Sequence, residues 1–166
     1  MKHYVVMGVS GCGKSSVGAA VAAQINAQFV DADDLHPRSN IEKMARGEPL
    51  NDTDRHPWLI AVGRQMVGAT TPMIVGCSAL RRVYRDIIRQ EAHAPVCFLH
   101  LKGSRAVLET RMQSRPGHFM PPSLLDSQLE TLEPPQADED AIEIDIDQPF
   151  DHLVAASVAR MSETRK

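Results

Sequence analysis

The sequence predicts an α/β fold, with a parallel sheet flanked by helices on both faces. Two observations predict it. Short apolar runs bounded by glycine or polar residues alternate along the chain with stretches of helical pattern. Between the first run and the first helical stretch lies Gly8-Val9-Ser10-Gly11-Cys12-Gly13-Lys14-Ser15, which fits G-x-x-x-x-G-K-[ST] in full.

Tyr4 to Met7 is a buried strand by its apolar run and closing glycine. Lys14 to about Gln24 is rich in Ala and Val, broken only by Gly18, and reads as a helix. Gln28 to Val30 is a second strand, ending in the acidic cluster from Asp31 to Asp34. A polar stretch follows, with a helix from about Asn40 to Ala45 and turns at Gly47, Pro49 and Asn51-Asp52. Pro57 suits the first position of a helix, whose apolar face is Leu59, Val62 and Met66. Strands at 73–75 and 96–99 alternate with helices at 81–90 and 104–114. A Pro- and Gly-containing loop covers 115–122, then a helix at 124–132, a strand at 142–146 and a last helix bearing Val154, Val158 and Met161. The acidic run 137–140 reads as a solvated turn.

At 166 residues the chain is expected to form one domain, 1–166, with core enough to need no disulfide or structural metal. It carries 18 basic and 21 acidic residues, net charge −3, so bulk electrostatics do not point to nucleic acid. Cys12, Cys77 and Cys97 are odd in number and widely spaced, which suits reduced thiols and a cytoplasmic location. The N-terminus runs straight into a strand and a glycine-rich loop, so no secretory leader is expected, and no apolar run is long enough to cross a membrane.

The glycine-rich motif carries the first chemistry. Glycines let the backbone turn tightly and aim N–H groups at phosphate oxygens. The helix that follows adds the positive end of its dipole. Gly8, Val9, Ser10, Gly11, Cys12, Gly13, Lys14, Ser15 and Ser16 are therefore expected to bind ATP. Lys14 would reach the β- and γ-phosphates, and the Ser15 hydroxyl would ligate Mg²⁺. The N-K-x-D segment of a guanine reader is absent, and the chain is short for a motor or helicase. A compact chain with this loop points to a nucleoside, nucleotide or metabolite kinase.

Asp31 and Asp33 stand two apart at a strand end. In an extended segment both would face the cleft beyond the strands, where ligands of open α/β sheets bind. Phosphoryl transfer to a hydroxyl needs one acid near Mg²⁺ and one at the hydroxyl. Asp31 is assigned to the metal and Asp33 to the hydroxyl; the alternative is a cluster capping a helix, with Asp34 as the cap.

Five segments carry a family resemblance. They are 31–59, DADDLHPRSNIEKMARGEPLNDTDRHPWL; 77–86, CSALRRVYRD; 117–120, GHFM; 128–134, QLETLEP; and 145–149, DIDQP. In this order, over nearly the whole chain, the sequence resembles gluconokinases. The resemblance implies transfer of phosphate from ATP to D-gluconate, giving 6-phospho-D-gluconate. It also implies a nucleoside-monophosphate-kinase-like P-loop fold, a Mg²⁺ requirement, a lid at about 115–122, and a homodimer. Cys12 departs from a frequent Ser, at a position that contributes backbone.

Gluconate is a polyhydroxylated carboxylate, so its pocket needs cations and hydroxyl acceptors. Besides Asp33, the available groups in the resembling segments, within a substrate segment of about 33–60 and beyond it, are His36, Arg38, Lys43, Arg55, Arg81 and Arg85. Arg55 and Arg81 lead because each falls near the end of an expected helix or strand facing the cleft; for each cation a plain surface ion pair is the alternative. Trp58 is expected to pack at a helix start, without a role toward the acceptor.

On the nucleotide side, Arg111 and Arg115 are four apart and share a face if their helix runs that far. Kinases of this fold close a lid over ATP and bring arginine to the developing charge. Arg115 is assigned to the phosphates, Arg111 to adenine or phosphate, and His118 to phosphate or lid structure. Gln148 and Pro149 resemble the loop bordering adenine, through backbone more than side chain. Two other functions compete: a related hydroxy-acid kinase such as a shikimate kinase, and a non-catalytic ATP-binding sensor. The first would lack the 36–59 pattern, and the second would lack Asp33 or the lid arginines.

Overall fold

Five apolar runs pair as parallel strands in the order β2-β3-β1-β4-β5 in the computed structural model, which describes residues 1–114 and 122–165. The strands are β1 (His3–Met7), β2 (Gln28–Asp31), β3 (Met73–Gly76), β4 (Val96–Lys102) and β5 (Ala141–Asp145). β1 is central, with Tyr4 opposite Ile74 of β3 and Cys97 of β4. Every residue of β1 and β3 is buried, as a sheet covered on both faces requires.

The helices are α1 (Lys14–Ile25), α2 (Arg38–Ala45), α3 (Asp52–Arg64), α4 (Arg82–Ala92), α5 (Arg105–Gln113), α6 (Pro122–Thr131) and α7 (Phe150–Glu163). Two cores result from strand alternation. Tyr4 and Val6 face one core with Val17 and Val21 of α1 and Leu153 of α7. Val5 and Met7 face the other with Leu59 and Val62 of α3 and Ile88 of α4. The chain leaves β1 toward β2 on one side and later passes to β4 on the other. The order therefore reverses at β1 and β3, and a crevice opens beyond their carboxyl ends. Gly8 N–H donates to Ser78 O across that crevice at 3.2 Å.

Two sequence expectations need correction, and another falls on residues outside the described ones. First, α3 begins at Asp52, so Pro57 lies inside it rather than at its first position. A capping box sets the start: Asn51 accepts from Asp54 N–H at 2.8 Å and Asp54 accepts from Asn51 N–H at 3.0 Å. Second, α5 ends at Gln113, and Arg115, with the 115–121 part of the expected lid including His118, lies outside the described residues.

Third, the run 137–140 is not simply a solvated turn. The Glu139 side chain is 1% exposed and grips Arg85, itself fully buried, at 2.7 and 3.0 Å, with Arg89 at 2.9 Å. Arg85 also donates to Ala79 O and Leu80 O, and Arg89 lies 4.5 Å over the Phe98 ring. The pair thus clamps the turn after β3, where Ala79 takes a φ of 43°.

Burial alone would raise the Glu139 pKa. Hydrogen bonds from Arg85, the Gln136 N–H and Arg89 outweigh it and hold the carboxyl at about 2, below its ordinary 4.5. The stabilisation is therefore complete above pH 4.5 and is lost as pH falls toward 2. Glu139→Gln, which leaves Arg85 buried without a countercharge, should cost about 3–5 kcal/mol at neutral pH. It should also flatten the acid limb of stability. Urea unfolding midpoints measured from neutral pH downward check both effects.

Candidate active site

The turn from β1 into α1 builds the phosphate cradle. Gly8 has φ 148°, and a Cβ there would meet Leu101 O at 2.9 Å and Cys12 Sγ at 2.8 Å. Gly13 precedes α1 in the left-handed region, φ 91°, which a side chain would strain. Val9 and Cys12 are buried beneath the loop, while Ser15 and Ser16 are exposed in the first turn of α1. Lys14 Nζ folds back to Gly8 O at 3.1 Å and Val9 O at 3.2 Å, which places an ammonium within the cradle.

Asp31, the last residue of β2, joins the loop to the next segment. One carboxylate oxygen accepts from Ser15 Oγ at 3.0 Å and the other from Asp33 N–H at 3.0 Å. Asp31 is thereby the cap of a single 3₁₀ turn, Ala32–Leu35, and the cap role does not fall to Asp34. Asp33 reaches the cleft from this turn and not by strand alternation. Its pKa is raised, first by desolvation from the surrounding walls and then by the Asp31 charge, against the pull of Lys14 and His36.

Trp58 holds the turn from behind. Its indole N–H donates to Ala32 O at 2.7 Å, and its ring stacks on His36 at 4.3 Å and 12°. Asn40, buried, meets His36 Nδ1 at 3.3 Å and donates to Asp54 O at 2.8 Å. Trp58 does more than pack a helix start, because it positions both Asp33's turn and the His36 ring. Burial, then Arg55, lowers the His36 pKa against the Asp33 charge, which favours a neutral ring at neutral pH.

Arg55 and Arg81 converge on Tyr84 and Asp52. Their guanidinium carbons lie 5.7 and 5.8 Å from the Tyr84 ring centre. Arg81 donates to Asp52 at 2.8 Å, Arg55 lies 3.6 Å from Asp52, and the Tyr84 hydroxyl donates to the same carboxylate. The other proposed cations are engaged elsewhere. Arg85 is spent on Glu139 inside the protein, so it is not a substrate contact. Arg38 points to solvent beside Glu42, and Lys43 binds Asp54 at 2.6 Å, bridging α2 to α3.

Arg111 reaches across to the carbonyls of Ile146 and Gln148. With Val107, Thr110, Asp147, Gln148 and Pro149 it lines a cavity of about 600 Å³, wide enough for a heteroaromatic base. Gln148's side-chain amide donates to Asp145 O at 2.7 Å and its backbone N–H to Ile146 O at 2.8 Å, which fixes the turn that borders the cavity. Sequence reasoning missed Asp52, Tyr84 and Gln128. All three lie in segments that carried the family resemblance, but the partners of Tyr84 and Gln128 are distant in the chain, and Asp52 was otherwise read as a turn residue.

Residues 4–135 match the family described as "AAA domain". The thermoresistant gluconokinase of Escherichia coli (strain K12) is 49% identical over 159 residues, which is 93% of this chain and 90% of that protein. The crystal structure of a gluconokinase from Sinorhizobium meliloti 1021 superposes with a TM-score of 0.87 at 48% identity, covering 98% of this chain and 94% of that one. A shikimate kinase from Aquifex aeolicus vf5 superposes at 0.62 with 12% identity over 99% and 98% of the two chains, a likeness of fold alone.

The coupling of the two acids is directly measurable. Asp31→Asn removes the neighbouring charge and leaves the desolvation, so Asp33 should titrate lower than in the parent. Carboxyl ¹³C NMR titration reads it, and an unmoved Asp33 would separate the two groups.

Proposed function

The chain belongs to the gluconokinase family, and we propose that it transfers the γ-phosphoryl group of ATP to D-gluconate, giving 6-phospho-D-gluconate and ADP. The observation that carries this reading is the 49% identity to a gluconokinase over 93% of the chain. The cleft supports it by pairing a phosphate cradle with an arginine pair.

In this reading the N-terminus of α1, the loop N–H groups and Lys14 hold the phosphates. The base lies in the cavity beside Arg111, Gln148 and Pro149. Ser15 and Asp31 would hold Mg²⁺. Two hard oxygen donors 3.0 Å apart suit an ion that otherwise keeps water and phosphate oxygens. Mg²⁺, when bound, neutralises charge on the transferring phosphoryl group. Arg115, outside the described residues, is assigned to the same charge.

Asp33 accepts the hydroxyl proton or aligns the hydroxyl for in-line attack, and its raised pKa brings it closer to the working range of a base. Arg55 and Arg81 take the acceptor's carboxylate, with Tyr84 between them. Asp52 compensates both arginines when no acceptor is present, so the acceptor carboxylate takes over contacts that Asp52 makes. His36, held neutral against Trp58, offers a hydrogen bond to a hydroxyl. The reading also places the enzyme in the cytoplasm, where ATP is abundant, and as a homodimer. Among the described residues no helix is long and apolar enough to cross a membrane.

A coupled assay for ADP with Mg-ATP should show turnover with gluconate and none with shikimate, neutral sugars or no acceptor. Turnover with shikimate alone would replace the acceptor, and none with any acceptor despite ATP binding would favour a sensor. Asp33→Asn should lower kcat by about 10²- to 10⁴-fold. Arg81→Ala should raise KM for gluconate about 10- to 100-fold with a smaller change in kcat, as expected for a lost charged hydrogen bond.

A further inference from the structure

Ser10 sits at the outer bend of the phosphate loop, and both of its polar groups near the backbone are taken by one side chain 118 residues away. Ser10 N–H donates to Gln128 Oε1 at 2.6 Å, and Gln128 Nε2 donates to Ser10 Oγ at 2.9 Å. A primary amide presents one acceptor and one donor side by side, which is what a serine N–H and hydroxyl together require. The amide's orientation is fixed, because the Ser10 N–H can only donate.

Gln128 lies on α6, and α6 is seated at both ends of the cleft. Leu125 is fully buried in the same core as Val9 and Cys12. Just past the helix, Glu133 N–H donates to Leu80 O at 2.8 Å, and Glu133 accepts from Arg82 N–H at 2.9 Å, beside Arg81. One short element therefore touches the phosphate loop through Gln128 and the arginine-bearing turn after β3 through Glu133.

We propose that Gln128 is a positioning residue for the phosphate loop. Its amide clasps Ser10 from outside, turns that N–H away from the ligand, and holds the loop open in the shape that receives phosphate. Ser10 therefore contributes to the loop's shape, as does Cys12, whose N–H turns to Val9 O at 3.4 Å, and phosphate contact falls to the N–H groups of Gly11, Gly13, Lys14 and Ser15 with the Lys14 ammonium. The clasp persists when nucleotide binds, so its contribution is to pre-organise the cradle. This rests on the reading of the loop as an ATP site, but not on the identity of the acceptor.

The test is titration of Mg-ADP into the parent, Gln128→Leu, Ser10→Ala and the double variant without any acceptor, by calorimetry. Gln128→Leu should weaken nucleotide binding about tenfold. Ser10→Ala should weaken it less in the parent and not at all in the Gln128→Leu background, so that the two effects are not additive. Gln128→Glu supplies a readout that a merely structural role would not move. Ionisation of the new carboxyl sets a negative charge beside the phosphates, so binding should weaken as pH rises through its titration, whereas Gln128→Leu shows no such dependence.

Thermal unfolding of each variant separates loss of the clasp from loss of the fold. If Gln128→Leu does not fold, Ser10→Ala and Gln128→Glu carry the test. Unchanged Mg-ADP affinity in the folded variants, or additive Ser10 and Gln128 effects, would overturn the proposal. Failure of the parent to bind Mg-ADP would overturn the ATP-site reading itself.

Discussion

One carboxylate organises the cleft. Asp31 ends β2, and its two oxygens face two different demands: Ser15 at the start of α1 and the N–H of Asp33 in the next turn. The first bond fixes the edge of the phosphate cradle, and the second fixes the turn that carries Asp33. Because both bonds use the same carboxylate, the loop edge and the Asp33 turn are set together. The arrangement exists only because β2 ends level with β3, Asp31 lying opposite Gly76, beside the point where the strand order reverses.

The facing wall follows a different logic. Its arginines need an anion to remain ordered at the mouth of a cleft, and Asp52 supplies one. Exposed ion pairs of this kind contribute little to stability, so they can be exchanged for a ligand carboxylate at small cost. The Arg85–Glu139 pair beneath them is of the opposite kind. There the full hydrogen-bond set outweighs desolvation, and the carboxyl is held at about 2. The exposed pair lies at the mouth of the cleft, and the pair that cannot be broken cheaply supports the turn that carries Arg81.

Much of this was legible in the chain, and the exceptions have physical causes. The phosphate loop is a local motif whose chemistry is fixed by spacing within the eight residues Gly8 to Ser15, so it read directly. The strands read well because buried parallel strands are near-continuous apolar runs. The start of α3 did not, because the Asn51–Asp54 capping box sets it and Pro57 is then carried inside the helix. Glu139 and Arg85 were misjudged because charge in sequence suggests solvent, and their burial depends on partners 54 residues apart. Asp33 was placed in the cleft for a reason that proved incorrect: a 3₁₀ turn, not strand alternation, delivers it. Gln128, Tyr84 and Asp52 have no local signature, since each acquires meaning only from a residue brought near by folding.

The measurement that addresses the account most directly is the ³¹P NMR spectrum of the product formed from ATP and D-gluconate. In the proposed function the carboxylate end lies at Arg55 and Arg81 and Asp33 meets the far hydroxyl. One new phosphomonoester signal, split into a triplet by the two protons of a primary carbon, is the expected result. A signal split by a single proton would mean that the acceptor lies differently between the two walls, and inorganic phosphate alone would contradict the pairing of Asp33 with an acceptor hydroxyl.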